Sequence, residues 1–509
     1  MKIILIDVSN SRLGIGVRYL SSYLREKNHE TEVVFLPDKT SSHRTGVYEK
    51  YDKKTMDQLA DICRDADFVG LSVFSNFYLH AVDITQELRK RIKTPIIWGG
   101  IHPTVDPESS IEYADAICIG EGEDTCLDLM NSPERTDIAG MWFRKGDRVI
   151  RNGNRPLETN IDKYPPQDYE ISQHYYYNGE DILRLDEKLF IEMMKPRAVL
   201  DKNGKYLLGY YILTSRGCPY RCTYCCNNSY AQLYGPAWNK VRRRSVGNSM
   251  AELRAIKERF PFFHNIAIVD DAFMAGSDEE IIEFARRYKD EIAMPFRCIT
   301  TPASINEKKM AALVDAGMYG IEMGIQTGSW RLNSEVYKRF VPNEQVIKAA
   351  KIINKYPNIV PRYDIIMDCP WENEQDIVET INLVSELPKP HSLSLFSLTF
   401  YPGSELAKKA KEEGKIHDVM KEVFLKAYSK QQTCDDLSYL DFILMLGSYL
   451  PNKALRIMAR KESRMALNHE KLNFAYTWLY KNRNKFRKVA TAVVNPWSKR
   501  MSKEREFDA

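Results

Sequence analysis

The sequence predicts an α/β protein: a doubly wound, Rossmann-like N-terminal domain, then a partial (β/α)6 barrel, then a C-terminal helical region. Three observations predict it. Short β-branched runs alternate with helical periodicity through residues 1–150. The alternation stops in a polar, proline-bearing stretch and restarts at Tyr206, and from Glu405 onward the pattern is helical throughout. Alternation of strand and helix implies right-handed crossovers, hence parallel strands covered on both faces.

The elements follow in order. Strands are expected at 3–8, 32–36, 68–74, 95–98 and 116–119, with helices around 17–27, 55–64, 79–93 and 124–130. Ligands bind such sheets beyond the carboxyl ends of the strands, which singles out the loops 72–77, Gly99-Gly100-Ile101-His102-Pro103 and Gly120-Glu121-Gly122-Glu123. The runs 141–144 and 148–151 flank the turn-like Lys145-Gly146-Asp147 and read as a hairpin closing the first domain, 1–152. Residues 153–205, with Pro165-Pro166, read as a linker and connecting segment. Within 206–404, strands are expected at 210–214, 265–269, 296–300, 320–324, 362–367 and 393–398, with helices that include 249–260, 278–288, 307–316 and 345–355. Six repeats over about 195 residues fall short of the ~250 that a closed eight-unit barrel takes, so the sheet is expected to stay open. Residues 405–509 form the helical region.

Composition excludes several classes. At 44% apolar and 28% charged residues the chain is an ordinary globular protein, neither disordered nor low-complexity. Its ten cysteines are too few for a disulfide scaffold, and Met1 leads into the strand-like Lys2-Ile3-Ile4-Leu5-Ile6-Asp7, so a reducing cytoplasm is expected. The longest apolar runs, 206–213 and 442–450, are about half of what a membrane span needs. No phosphate-binding P-loop, GxGxxG fingerprint or GxSxG elbow occurs. Charge is localised: the overall net charge is +4, yet residues 451–509 hold 15 Lys and Arg against 5 Asp and Glu. There the aromatic stretch 472–480, with Phe474, Tyr476 and Trp478, precedes the basic run 481–488. The favoured expectation is that the aromatics pack on the barrel and the cations form a solvated face; docking on a membrane surface is the alternative.

The chemistry centres on Arg216-Gly217-Cys218-Pro219-Tyr220-Arg221-Cys222-Thr223-Tyr224-Cys225-Cys226-Asn227, directly after the first strand of the second sheet. Three close thiols in a reducing compartment suit iron–sulfur or zinc ligation. A structural zinc wants four closed ligands, and no partner CxxC or His pair lies nearby. Three ligands leave one iron of a [4Fe–4S] cluster open to chelation. Cys218, Cys222 and Cys226 form a competing triplet, ranked behind Cys218, Cys222 and Cys225. The other cysteines are scattered and read as buried thiols.

The CxxxCxxC loop, with aromatic Tyr224 before its last Cys, resembles the radical S-adenosylmethionine (SAM) enzymes. The resemblance covers about 205–405 and implies a [4Fe–4S] cluster on Cys218, Cys222 and Cys225. It implies SAM bound near Tyr224, near Asp271 of Asp270-Asp271-Ala272-Phe273, and near Glu322 and Gln326 of Glu322-Met323-Gly324-Ile325-Gln326-Thr327-Gly328-Ser329. Asp364 to Pro370 with Glu372 resembles the family's fifth-strand loop. The N-terminal domain resembles the cobalamin-binding domain of one subgroup, which implies cobalamin contacts at Ser72, Asn76, Gly99, Gly100, Gly120, Glu121 and Gly122. The Asp-x-His-x-x-Gly motif that places a His beneath cobalt is missing: Asp7-Val8-Ser9-Asn10-Ser11 stands there. A His-off site is therefore implied, with Asn76 or Phe77 facing the lower side of cobalt and His102 a loop residue.

The resemblance implies a methyltransferase acting on an unactivated carbon through methylcobalamin and a 5′-deoxyadenosyl radical, with no catalytic residue assigned beyond the cofactor ligands. A cyclase or ring-rearranging enzyme with the same cofactors is the alternative, and a non-catalytic cobalamin or redox sensor a weaker one. Expected partners are a small-molecule or lipid-like substrate and an electron donor such as flavodoxin or ferredoxin; nucleic acid is not expected.

Overall fold

The computed structural model describes residues 1–9, 13–200, 206–429 and 438–482. By internal contact the chain forms two compact units, Met1–Arg197 with Tyr224–Arg244 and Thr399–Ala427, and Ala198–Thr223 with Ser245–Leu398 and Tyr428–Ala509.

The first unit is built on a nine-stranded sheet. Its strands are β1 (Lys2–Asp7), β2 (Glu30–Phe35), β3 (Phe68–Ser72), β4 (Ile96–Gly99), β5 (Ala116–Cys118), β6 (Met141–Lys145), β7 (Arg148–Arg151), β8 (Tyr175–Tyr177) and β9 (Ile182–Arg184). The spatial order is β7-β6-β5-β4-β3-β1-β2-β8-β9. The pairs β2/β1, β1/β3, β3/β4 and β4/β5 are parallel. Ile4, Ile6, Val34, Val69, Leu71, Trp98 and Ile117 are buried in one cluster, as a sheet covered on both faces requires. Helices Ile15–Glu26, Lys53–Cys63, Tyr78–Arg89 and Glu123–Asn131 alternate with these strands. Register aligns Asp7 with Ser72 and Ser72 with Gly99, which brings the carboxyl ends of β1, β3 and β4 to one edge.

The connecting segment expected over 153–205 is in large part structural. β8 pairs parallel with β2, β9 pairs antiparallel with β8, and helix Glu187–Met194 follows. Tyr175-Tyr176-Tyr177 favours a strand and finds an open edge at β2. Just upstream, Arg18 donates to the Asp168 carbonyl at 2.8 Å and Ser21 to its carboxylate at 2.6 Å, which fastens the segment to helix Ile15–Glu26.

The second unit holds one open sheet of seven strands. These are β10 (Val199–Leu200), β11 (Tyr206–Ile212), β12 (Phe263–Ile268), β13 (Phe296–Thr300), β14 (Met318–Gln326), β15 (Arg362–Met367) and β16 (Ser392–Ser397), paired in chain order. β11 to β16 are all parallel, six strands as expected, and β10 is an antiparallel edge. Helices Val246–Arg259, Asp278–Glu291, Glu307–Asp315, Asn343–Ile353 and Glu374–Glu386 fill the crossovers. Capping boxes Ser277/Glu280 and Asn373/Asp376 start two of them.

Two expected boundaries fall elsewhere. Residues 224–244, including helix Cys226–Tyr234, and residues 399–427 contact the first unit, so neither 206–404 nor 405–509 is one body. The remaining C-terminal helices are Tyr439–Met445, Asn452–Met458, Lys461–Leu467 and Asn473–Lys481. No helix among the described residues is long and apolar enough to cross a membrane. Cys434 and the basic run beyond Asn482 lie outside the described residues.

Candidate functional site

In the first unit the glycine loops gather at the carboxyl edge of the sheet. After β3, Ser75–Phe77 forms a 3-10 turn with Ser75 and Phe77 buried and Asn76 half-buried. After β4, Gly100 has φ +97°, and a Cβ there would stand 3.1 Å from the backbone N and O of Val73. Only glycine fits, because two loops meet: Val73 N–H donates to the Gly99 carbonyl at 2.8 Å and His102 N–H to the Val73 carbonyl at 2.9 Å.

His102 lies in helix Ile101–Val105 and is fully buried, which corrects its expected place in a loop. Its Nδ1 is 3.0 Å from Ser75 Oγ and its Nε2 3.4 Å from Ser109 Oγ, and burial lowers its pKa to about 4. His80 and His174 face Asp38 and Asp168 at 3.4 and 3.5 Å. All three imidazoles are buried. At the end of β1, Asp7 is 2% exposed, and one of its oxygens accepts from Ser9 N–H at 3.1 Å. The other has no partner among the described residues, and burial raises the carboxyl to about 6. An orphaned oxygen at the ligand edge suits the amide donors that fringe a corrin.

The third loop is filled by the protein itself. A Cβ on Gly120 would fall 1.7 Å from the Tyr234 hydroxyl, which accepts from Glu121 N–H at 3.1 Å. The Glu121 carboxylate takes two bonds from Arg242, at 2.6 and 2.9 Å. Gly122 precedes helix Glu123–Asn131. Helix Cys226–Tyr234 therefore covers Gly120 and Glu121, expected cobalamin contacts, because the glycine leaves room for a tyrosine.

In the second unit, Cys218 is buried and Cys222 half-buried in the loop after β11. Thr223 anchors that loop through its N–H to Tyr337 O at 3.1 Å and its hydroxyl to Val336 O at 2.6 Å. Cys225, half-buried, is the N-cap of helix Cys226–Tyr234 and accepts from Asn227 Nδ2 at 3.8 Å. Tyr224 is half-buried, and Cys226 is already helical. Among the described residues no three His, Cys, Asp or Glu side chains converge on a single-ion site. As a donor set, three thiols at CxxxCxxC spacing match in number what a [4Fe–4S] cluster open at one iron takes.

Asp270 and Asp271 divide their duties. Fully buried Asp270 accepts from Thr214 N–H at 2.6 Å, Thr214 Oγ1 at 2.5 Å and Ser215 Oγ at 2.6 Å, tying the end of β12 to the end of β11. Asp271 is exposed. Glu322 is ion-paired with Arg362 of β15, a partner the sequence reading did not foresee. Burial, with Glu322 next in weight, holds the neighbouring Asp364 carboxyl well above the usual range.

At the carboxyl end of β14, Gln326 takes φ +66°. Arg339 is 8% exposed; one of its amino groups donates to the Gly324 carbonyl, the other, Nη1, has no partner, and no carboxylate pairs with it among the described residues. A buried guanidinium without an acid is a receptor for an anion. SAM carries such a carboxylate, so these residues fit it. Arg339 escaped the sequence reading because Tyr337-Lys338-Arg339 looks like any surface basic run. At the end of β15, Asp368 has φ +59° and accepts from Ser397 Oγ at 2.5 Å. Burial, then Asp441, Asp376 and Asp368, raise nearby Glu372 to about 8.

Two family models match: the B12 binding domain over residues 1–130 and the Radical SAM superfamily over 212–384. Among relatives, an uncharacterized methyltransferase of Pyrococcus horikoshii is 24% identical over 404 residues, 77% of each chain. The cytidylyl-2-hydroxyethylphosphonate methyltransferase of Streptomyces wedmorensis is 22% identical over 65% of each chain. Among solved structures, the radical SAM methyltransferase TsrM from Kitasatospora setae, with tryptophan and a SAM analog bound, aligns with TM-score 0.62 at 16% identity, over 81% of this chain and 76% of its own. The cobalamin-dependent radical SAM enzyme OxsB, with aqua-cobalamin and SAM bound, aligns with TM-score 0.64 at 15% identity, over 97% of this chain and 80% of its own.

Proposed function

We propose that this chain, a cobalamin-dependent radical SAM enzyme with a [4Fe–4S] cluster, SAM and cobalamin as its cofactors, is a methyltransferase that acts on an unactivated carbon. The observation that carries the reading is the pairing of a B12 binding domain and a Radical SAM domain in one chain, and relatives named methyltransferases support it. When bound, the cluster and SAM supply a radical that removes hydrogen from carbon, and cobalamin supplies the methyl group that replaces it.

The chain's own residues bind and orient. Cys218, Cys222 and Cys225 would ligate the cluster. Arg339 would bind the SAM carboxylate, and Tyr224, Asp271, Glu322 and Gln326 would supply further SAM contacts. Ser72, Asn76, Gly99, Gly100 and Gly122 would receive cobalamin, and Gly120 and Glu121 would act through Tyr234 and Arg242. Electrons would come from a donor such as a flavodoxin or ferredoxin.

The cyclase reading has one observation in its favour: the anaerobic magnesium-protoporphyrin IX monomethyl ester cyclase of Synechocystis is 24% identical over 34% of this chain. Turnover of reconstituted, reduced protein on extracts from cells lacking it separates the two. Methyl transfer yields S-adenosylhomocysteine and 5′-deoxyadenosine in comparable amounts and a product heavier by one methylene. Deoxyadenosine alone, with unchanged carbon count, would promote the cyclase.

A further inference from the structure

Helix Cys226–Tyr234 and the turn after it put a buried amide beside a thiol. Cys225 is the N-cap of the helix, and Asn227, two residues on and 5% exposed, donates from Nδ2 to the Cys225 Sγ at 3.8 Å. The other end of the same amide, Oδ1, accepts from the Trp238 indole Nε1 at 3.1 Å. That second bond fixes the first. Turning the amide over would set its NH2 against the indole N–H, two donors facing each other, and its oxygen against the sulfur. The indole is held in its turn: Trp238 is 6% exposed, and its ring stacks on Tyr230 at 4.6 Å and on Tyr234 at 5.8 Å. The Arg242 guanidinium lies 5.5 Å from the same ring. All of these residues belong to the first unit.

We propose that Asn227 is a positioning residue acting through Cys225: its amide sets the reduction potential of the cluster that this thiolate ligates. The inference rests on the reading of Cys225 as the third cluster ligand. A thiolate sulfur carries negative charge, and an N–H aimed at it draws off part of that charge, most strongly where the surrounding dielectric is low. Reduction adds one electron to the cluster and makes its sulfurs more negative. The hydrogen bond is therefore stronger in the reduced state and raises the potential. A purely structural asparagine at a helix start turns its side chain to backbone N–H groups. Asn227 is instead buried with its amide spent on an indole and a thiol, a placement that costs desolvation of both amide ends and holds a donor on the sulfur.

Redox titration of the full chain loaded with its cluster, without SAM or cobalamin and followed by electron paramagnetic resonance of the reduced cluster, tests this. Asn227→Leu, close in size and without a donor, should shift the one-electron equilibrium about tenfold toward the oxidised cluster, a fall of about 59 mV in the midpoint. Trp238→Phe, which keeps a stacked ring and removes the indole N–H, should shift it the same way by less. Tyr230→Phe, which leaves both hydrogen bonds in place, should titrate as the parent does. In the parent, asparagine isotopically labelled at the side-chain nitrogen alone should change the nitrogen coupling seen on the reduced cluster in pulsed spectra, and this decides even where Asn227→Leu takes up no cluster. An unchanged midpoint in Asn227→Leu, an equal fall in Tyr230→Phe, or a nitrogen coupling that the label leaves untouched overturns the inference alone. A parent that takes up no cluster, with no absorbance near about 400 nm, overturns the ligand reading beneath it as well.

Discussion

Arg339 shows how one side chain changes meaning between sequence and structure. In the chain it is one of 73 basic residues; in the fold it is a buried cation whose Nη1 finds no partner among the described residues. Replacing it by Gln should weaken SAM binding to the reconstituted protein by about 2–4 kcal/mol, the cost of losing one member of a desolvated charge pair, with little change in melting temperature. Equilibrium binding under anaerobic conditions measures this, and equal affinity would remove Arg339 from the site. The cysteine triplet is a reading of spacing alone. Changing Cys218, Cys222 or Cys225 to Ala should abolish the absorbance near about 400 nm that iron–thiolate ligation gives, and Cys226→Ala should retain it. The opposite result for Cys225 and Cys226 would shift the register. Asp270 and Asp271 mark the limit of motif reading: adjacent identical residues, of which one is buried on three hydrogen bonds and the other exposed.

Strands and helices were legible where burial is two-sided. β1, β3 and β4 are continuous apolar runs because helices cover both faces, and β13 and β15 fall where the sequence places them. β8 and β9 were missed because each is three residues long and their aromatics signal a strand only once the β2 edge is there to receive them. Helix docking is equally invisible beforehand. A Cβ on Gly328 would stand 2.5 Å from Glu379 O and 2.6 Å from Thr380 Cα, so this glycine sets how closely helix Glu374–Glu386 approaches the end of β14. Gly328→Ala should lower stability by about 1–3 kcal/mol through overpacking, and since the Gly328 N–H also donates to Thr380 Oγ1 at 2.9 Å, the shift should cost that bond as well. Denaturant unfolding gives the number, and an unchanged midpoint would mean that the helix yields freely.

For the whole molecule, buried titratable groups pull stability in opposite directions with pH. His102 and His391, both lowered to about 4 by burial, stay neutral in the fold. The unfolded chain protonates them first, so their contribution is full above about 6.5 and falls away as pH drops to 4. Glu372, raised to about 8 by burial and three neighbouring carboxylates, has the reverse sign: it costs nothing below its ordinary pKa and progressively more as pH rises through 8. Glu372→Gln should therefore match the parent near pH 4 and exceed it by about 1–3 kcal/mol near pH 9, discounted because the side chain is only half-buried. Chemical denaturation at the two pH values decides, and a constant difference would exclude titration of Glu372.

The sequence by itself determined the parallel strands of the first sheet and the open six-strand barrel, because hydrophobic periodicity is a local property. Tertiary structure alone decided which bodies the connecting segments join. It sent 224–244 and 399–427 to the first unit, filled the Gly120 loop with Tyr234, paired Glu322 with Arg362 and left Arg339 without an acid among the described residues. Each of these depends on residues distant in the chain meeting across a few ångströms, and a contact of that kind leaves no period in the sequence.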